Sequence, residues 1–169
     1  MNIHQMNKNE LTEIIRLNSE YTDKSIIDSA LSLKKEYYGD KIFARGLIEI
    51  SNICKNNCYY CGIRASNKNA QRYRLTKEEI LGCCKEAANL GFNTFVMQGG
   101  EDPRQTDEWV VDVVKSIRAA YPDKAITLSV GERSAEAYAA FKEAGANRFL
   151  LRHETRNDEH YAQLHPSMM

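Results

Sequence analysis

The feature that most constrains the fold of this chain is a regular alternation of strand and helix signals from about residue 44 onward. Four short apolar runs rich in β-branched residues are predicted as strands, over 44–51, 94–98, 125–130 and 148–152. A predicted helix lies between each of these runs and the next. Such alternation is typical of parallel strands joined by right-handed crossovers. The sequence therefore predicts an α/β fold in which helices cover a parallel sheet.

The helices are predicted chiefly from the residues at their ends. The segment from Thr76 to Glu79 is a capping box, in which the threonine hydroxyl and the glutamate carboxylate bind free N–H groups of the first turn. Thr106 and Ser134 are suitable N-cap residues for the next two helices. Gly91 and Gly145 are glycines of the kind at which helices end. The expected helices therefore cover 76–90, 106–120 and 134–144, with a short final helix from about residue 157.

The chain before the first predicted strand has a different pattern. Its apolar residues recur at helical spacing, for example at Leu11, Ile14 and Ile15. The expected domains are therefore an N-terminal helical extension over 1–41 and a partial barrel domain over 42–169.

Polar or metal-binding residues follow each of the four predicted strands. In chain order, these groups are Cys54 with Cys58 and Cys61, Gly99-Gly100-Glu101, Ser129 to Glu132, and Arg152 with Glu154. Because the carboxyl ends of parallel strands meet at one edge of a sheet, we expect the four groups to lie together. On a continuing fourth strand, Arg152 and Glu154 would point to the same side.

The most specific of these groups is the cysteine loop. Three residues separate Cys54 from Cys58, and two separate Cys58 from Cys61. An iron–sulfur cube normally takes four cysteines, so three would leave one iron open to a substrate. A structural zinc site usually needs four ligands, and His153 or His165 would have to supply the fourth. Three unrelated core thiols are the remaining interpretation, but the polar residues between the first two cysteines favour the cluster.

Composition and charge exclude several classes of protein. The formal net charge is zero, so there is no electrostatic basis for binding nucleic acid or an anionic membrane surface. No apolar stretch approaches the length of a transmembrane helix, and the first ten residues lack the apolar core of a signal peptide. The expected location is the reducing cytoplasm, where the five cysteines favour metal binding or free thiols over disulfides.

Four segments together resemble one known family. They are 45–64, which contains the cysteine loop, 98–103, 127–132 and 150–155. The C-x3-C-x-aromatic-C loop after a first strand, with a Gly-Gly-Glu turn after the second, resembles the radical S-adenosylmethionine (radical SAM) superfamily. The last three segments resemble, within it, the HydE family of [FeFe]-hydrogenase maturases, which is close to methylornithine synthase and biotin synthase.

The resemblance implies two cofactors and a set of residues that bind them. Cys54, Cys58 and Cys61 would ligate a [4Fe-4S] cluster, whose reduced form cleaves S-adenosylmethionine (SAM) to methionine and a 5′-deoxyadenosyl radical. The SAM contacts implied by the resemblance are Tyr60, Gln98, Gly99, Gly100, Glu101, Arg152 and Glu154. Ser129 matches a position that faces the substrate, and no catalytic residue is assigned beyond the cluster and the SAM site.

Without the resemblance, these residues have simpler interpretations. Gly99 to Glu101 could be an ordinary strand-to-helix turn, Arg152 and Glu154 a surface ion pair, and Ser129 a serine at a strand end.

The resemblance also implies an activity and partners. The activity is maturation of the hydrogenase H-cluster, acting on a small sulfur-containing substrate or an iron complex. The partners are other hydrogenase maturation proteins and a ferredoxin or flavodoxin reductant, with no nucleic acid or membrane. One alternative is an enzyme like methylornithine synthase or biotin synthase. Another is an inactive fragment or an iron–sulfur electron-transfer or carrier module, for which Cys83 and Cys84 are the candidate additional ligands.

Chain length limits the expected architecture. Four strands are half of a (β/α)8 barrel, which typically has about 250 residues, whereas this chain has 169. The expected fold is the N-terminal half of a TIM-like radical SAM barrel, carried by a truncated chain or gene fragment. Further SAM contacts and much of the substrate cavity would then belong to the other half.

Overall fold

The computed structural model describes residues 6–20 and 24–166. Contacts between residues divide the chain into two compact units, Met1–Phe43 and Ala44–Met169. The first unit contains helix α1 (Lys8–Glu20) and helix α2 (Lys24–Tyr38). The helical spacing in this part of the sequence therefore predicts its secondary structure. Residues 1–5 and 21–23 of the expected helical extension lie outside the described residues.

The second unit alternates strand and helix as the sequence predicts. Its strands are β1 (Gly46–Ser51), β2 (Thr94–Gly99), β3 (Ala125–Ser129) and β4 (Arg148–Phe149). Its helices are α3 (Lys77–Asn89), α4 (Asp107–Ala120), α5 (Ala135–Ala144) and α6 (Asp158–Leu164). The strands form one sheet in the order β1-β2-β3-β4, and every neighbouring pair is parallel. The predicted α/β class with four parallel strands is confirmed.

One face of the sheet forms the core with the helices. On β1 the alternation is clear, because Ile48 and Ile50 are buried whereas Leu47 and Glu49 are exposed. The residues that share the core come from the strands and from α3, α4 and α5, including Phe95, Leu128, Ile80, Val113 and Phe141. The opposite face of β1, which carries Glu49, borders the cavity described below.

The helix ends follow the predicted signals closely. Thr76 Oγ1 accepts from the Glu79 N–H while the Glu79 carboxylate accepts from the Thr76 N–H, which completes the capping box. Thr106 and Ser134 cap α4 and α5 through their hydroxyls. Gly145 ends α5 in the left-handed conformation. These local signals act over three or four residues, which is why the sequence alone is sufficient to read them.

The fourth strand is shorter than expected. The predicted strand 148–152 pairs only at Arg148 and Phe149, so Arg152 and Glu154 do not lie on a continuing strand. Glu154 has a φ of 55°, which turns the chain sharply and removes the expected common direction of the two side chains. The ion pairs of the described residues do not join Arg152 to Glu154, so the surface-pair interpretation is wrong.

The two cysteines of α3 differ in their surroundings. Cys84 is buried in the core with Ile80 and Ala87, whereas Cys83 is exposed on the other side of the helix. Burial raises the pKa of Cys84 to about 12, which keeps the thiol protonated. Across the described part of the chain, none of the helices is long and apolar enough to span a membrane.

Candidate functional site

The cysteine loop begins directly after β1. Cys54, Cys58 and Cys61 are half-buried and form no disulfide with one another. The loop turns back on itself, because the Cys61 N–H donates to the Cys58 carbonyl at 3.0 Å. Burial raises the pKa of Cys58, and the nearby charges of Cys54 and Cys61 raise it further, although a hydrogen bond with Tyr60 opposes them. All three thiols border one cavity, so the loop gathers them at one place.

The turn after β2 packs against this loop without space for a side chain. A Cβ at Gly100 would overlap the Ile53 carbonyl oxygen and lie only 2.8 Å from Cys54 Cβ. The backbones are also joined by hydrogen bonds, from the Gly100 N–H to the Ser51 carbonyl and from the Lys55 N–H to the Glu101 carbonyl, both at 3.0 Å. Glycine is therefore required at position 100 by contact between two backbones.

Glu101, which follows β2, contacts both the cysteine loop and the end of β3. Its carboxylate accepts from the buried Asn56 amide at 2.9 Å and pairs with Lys55 at 3.2 Å. Gly131, which follows β3 with a φ of +80°, leaves the space that the Glu101 side chain occupies. Sequence reasoning missed Asn56, since its partner is 45 positions away and no local pattern marks it.

A buried ion pair fixes the start of the loop. The fully buried Asp102 carboxylate accepts from Arg74 Nε at 2.6 Å and from Ser51 Oγ at 2.7 Å. It also accepts from the Arg104 N–H at 3.1 Å. Burial by itself would raise the pKa of Asp102, but the Arg74 and Ser51 hydrogen bonds hold that pKa below its usual value. Sequence reasoning missed this pair as well.

Polar side chains lie in one row on the face of the sheet that borders the cavity, opposite the face on which Ile48 and Ile50 are buried. Glu49, Gln98 and Ser129 are register partners on β1, β2 and β3. Gln98 Nε2 donates to Glu49 Oε1 at 3.0 Å, and Arg152 Nη2 donates to Gln98 Oε1 at 3.2 Å. The predicted residues Gln98, Ser129 and Arg152 are thus neighbours, although Arg152 reaches the row from a loop and not from a strand.

The last helix contacts the cysteine loop through tyrosines. Tyr60 Oη lies 2.6 Å from Nε2 of the buried His165, and the Tyr59 N–H donates to the Leu164 carbonyl at 3.0 Å. The pKa of Tyr60 is raised chiefly by burial, with a further contribution from the charges of Cys58 and Glu154. The Tyr60 hydroxyl therefore stays protonated and can donate a hydrogen bond.

One cavity of about 330 Å³ joins all of these elements. The sequence-predicted site residues that line it are Cys54, Cys58, Tyr60, Cys61, Gln98, Gly99, Gly100, Glu101, Ser129, Arg152 and Glu154. Four carboxylates border it, those of Glu49, Glu101, Glu132 and Glu154, against a single arginine. The cavity therefore suits a ligand that carries positive charge and also has an anionic group for Arg152.

A larger cavity of about 620 Å³ lies beside β4, between α4 and α5. Its lining has no Cys, Asp, Glu or His side chain, so it offers none of the usual side-chain metal ligands. We therefore assign the chemistry to the cysteine-lined cavity in spite of its smaller volume.

Among the residues that the structure describes, no three His, Cys, Asp or Glu side chains converge on one metal-sized point. The choice between a cluster and a single metal ion therefore stays a prediction from the spacing of the cysteines.

The fold and the site define a parallel α/β half-barrel with a cysteine-lined cavity at the carboxyl edge of its strands. The family model described as "Radical SAM superfamily" matches residues 48–168. The chain therefore belongs to the radical SAM superfamily, whose enzymes use a [4Fe-4S] cluster and SAM.

Individual relatives agree with this assignment. The chain is 42% identical to the [FeFe] hydrogenase maturase subunit HydE of Thermotoga maritima over 156 residues, which are 92% of this chain and 44% of that protein. It is 30% identical to 3-methylornithine synthase of Methanosarcina acetivorans, over 95% of this chain and 46% of that protein. The crystal structure of methylornithine synthase superimposes with a TM-score of 0.77 at 30% identity, covering 84% of this chain and 42% of that one.

These comparisons confirm the predicted family and fold. The chain spans about half the length of the curated relatives it matches, and its four strands correspond to the N-terminal half of their barrel. The roles of individual residues in the cavity stay predictions.

Proposed function

We propose that this chain carries the cluster- and SAM-binding half of a radical SAM enzyme of [FeFe]-hydrogenase maturation. The observation that carries the proposal is the shared cavity, in which three half-buried thiols border the same space as the Gly99-Gly100 turn. The 42% identity to HydE supports hydrogenase maturation in particular.

The cysteine loop fits a [4Fe-4S] cluster. In this proposal Cys54, Cys58 and Cys61 are its three protein ligands, which leaves one iron open. The loop is held by contacts that do not use the thiols, namely those of Asn56 with Glu101 and of Gly100 with Ile53. The backbone of the loop is therefore ordered by contacts that do not involve the thiols.

The rest of the cavity fits SAM, which carries a sulfonium, an ammonium and a carboxylate group. Gly99 and Gly100 line the cavity with backbone atoms alone, and in this proposal the amino-acid end of the ligand lies beside this turn. Glu101 and Glu154 supply negative charge, whereas Arg152, oriented by Gln98, can pair with a carboxylate. The Tyr60 ring borders the same cavity and is suited to contact the adenine.

The cofactors supply the radical chemistry, in which an electron from the reduced cluster cleaves SAM to methionine and a 5′-deoxyadenosyl radical. The protein residues bind, orient and shield these groups. Ser129, on the floor of the cavity, is proposed to face the substrate, a small sulfur-containing molecule or an iron complex. Other maturation proteins and a ferredoxin or flavodoxin reductant are the proposed partners, in the cytoplasm.

Anaerobic reconstitution with iron and sulfide tests the cluster assignment. We expect the purified chain to hold about four iron atoms, and Cys58→Ala to hold far fewer. The matched control is Cys83→Ala, which removes an exposed thiol on α3 outside the cavity and should leave the iron content unchanged. Equal iron content in Cys58→Ala and the parent would refute the assignment.

A second assay separates enzyme from carrier. The reconstituted chain is reduced with dithionite, given SAM and analysed for 5′-deoxyadenosine by liquid chromatography. Formation of the nucleoside supports a radical enzyme, whereas a stable cluster without it supports an iron–sulfur carrier or an inactive fragment.

The second candidate is an enzyme that resembles methylornithine synthase. The 30% identity and the TM-score of 0.77 favour this candidate. A chain that forms 5′-deoxyadenosine faster with a basic amino acid than with a small thiol compound would favour it over the maturase.

A further inference from the structure

His165 is the one histidine of the second unit that the structure buries against the candidate site. Its side chain is only 2% exposed and follows the last residue of α6. Its ring stacks on Tyr161 with centroids 4.0 Å apart and meets the Tyr60 ring edge-on at 5.3 Å. All three rings line the cysteine-lined cavity. The chain thus places an aromatic cluster beside the cysteines, and no motif in the sequence marks it.

The hydrogen bonds of His165 define its tautomer. Nδ1 lies 2.8 Å from the Tyr161 carbonyl oxygen, which can only accept, so Nδ1 carries the hydrogen. In the neutral ring Nε2 is then an acceptor. Tyr60 Oη, at 2.6 Å from Nε2, is therefore placed to donate to His165, and the Cys58 sulfur is the other acceptor beside the same hydroxyl.

The same end of α6 binds the neighbouring residue of the loop. The Tyr59 N–H donates to the Leu164 carbonyl at 3.0 Å, directly beside the bond between Tyr60 and His165. The last residue of α6 and the residue that follows it therefore hold the two successive residues that lie between Cys58 and Cys61. The backbone bond fixes the position of the loop, and the side-chain bond fixes the direction of the Tyr60 ring.

We infer that His165 is a positioning residue, which holds the Tyr60 ring at the wall of the cavity so that the ring can contact the nucleoside of SAM. Tyr60 is half-exposed and would otherwise rotate into solvent. The consequence for SAM rests on the proposed function, whereas the hydrogen bond itself does not. His165 acts through Tyr60 and needs no contact with the cofactors.

Two substitutions of His165 separate its hydrogen bonds. In His165→Gln the side-chain carbonyl reaches the position of Nε2 and can accept from Tyr60. In His165→Asn the shorter amide lies at the position of Nδ1, so it can donate to the Tyr161 carbonyl but cannot reach Tyr60. His160→Ala is the matched control, because His160 is an exposed residue of the same helix.

The first measurement is made on the protein without cofactors. The chain has four histidines, so ring nitrogens labelled with 15N can be resolved by NMR. We expect one ring to be a fixed Nδ1–H tautomer, with an Nε2 resonance that shifts in Tyr60→Phe. A His165 ring that averages between tautomers, or does not respond to Tyr60→Phe, would overturn the inference.

The second measurement is SAM binding by the reconstituted chain, by equilibrium dialysis. We expect His165→Asn and Tyr60→Phe each to weaken binding by about two- to tenfold, the factor for one net hydrogen bond. The double variant should be no weaker than either single one, since both remove the same bond. His165→Gln and His160→Ala should bind as the parent does.

The outcomes distinguish the positioning role of His165 from the proposed function of the chain. Equal losses in His165→Gln and His165→Asn, or losses that add in the double variant, would overturn the inference while leaving the proposed function intact. If the parent itself binds no SAM, the proposed function fails and the consequence for SAM fails with it. The NMR result then decides the hydrogen bond alone.

Discussion

The ion pair between Asp102 and Arg74 should make a large contribution to the stability of the second unit. Asp102→Asn keeps the shape of the side chain but removes the charge that pairs with Arg74. Removing one partner of a buried pair destabilises a protein by about 3–5 kcal/mol. Because Arg74 keeps 26% of its side-chain surface exposed and can be hydrated in part, we expect the lower end, about 3 kcal/mol. For a chain of this size that corresponds to a fall in Tm of roughly 6–12 °C.

Thermal unfolding followed by tryptophan fluorescence measures this effect. The chain has one tryptophan, Trp109 on α4, so the signal reports on the second unit. Asp112→Asn is the matched control, because it removes an ion pair with Lys77 of similar length whose carboxylate is 60% exposed. Exposed pairs contribute about 0–1 kcal/mol, so the control should change Tm little.

The pH dependence gives the same prediction an independent check. The folded-state pKa of Asp102 is lowered, so its contribution is present above the unfolded-state pKa of about 3.9 and is lost as the pH falls through the folded value. The difference in Tm between parent and Asp102→Asn should therefore be constant near neutral pH and shrink below about pH 4. A variant that unfolds with the parent at pH 7, or a difference that persists unchanged in acid, would refute the argument.

Two further predictions concern single backbone features. Gly100→Ala should lower the stability by about 1–3 kcal/mol, the usual effect of overpacking, and reduce the iron retained after reconstitution. Gly62→Ala is the control, because no atom lies near the added methyl, and it should change neither the stability nor the iron content. A Gly100→Ala variant with the stability and iron content of the parent would contradict the described contact. Thr76→Ala should lose about 1 kcal/mol of unfolding free energy through loss of the α3 cap, measured by urea denaturation. A change below a few tenths of a kcal/mol would show that the capping box is not formed.

Local signals explain what could be predicted from the sequence. The capping box at Thr76 and the glycine at Gly145 act on the backbone of their own neighbourhood, and the helices they bound were expected correctly. The site residues could be grouped because parallel strands bring their carboxyl ends together, a rule that needs only the order of elements.

What could not be predicted depends on contacts between distant positions. Asn56 binds Glu101, which is 45 positions away, and Tyr60 binds His165, which is 105 positions away. Neither pair lies within a periodic sequence pattern from which the contact could be predicted. The predicted end of β4, at residue 152, was wrong for a related reason. The apolar run continues through Leu150 and Leu151, but only residues that find a neighbouring strand become part of a sheet.

The separation of Tyr60 and His165 along the chain also determines when their hydrogen bond can form during synthesis. The cysteines leave the ribosome well before α6 does, since 105 positions separate the two partners. At about 5–20 residues per second, that gap corresponds to roughly 5–20 seconds. During this interval the three thiols are present on a loop that still lacks its contacts with Leu164 and His165. Metal or oxidant that reaches the nascent chain in that period meets a loop less ordered than the one in the finished fold, so cluster insertion after release should give the more uniform product.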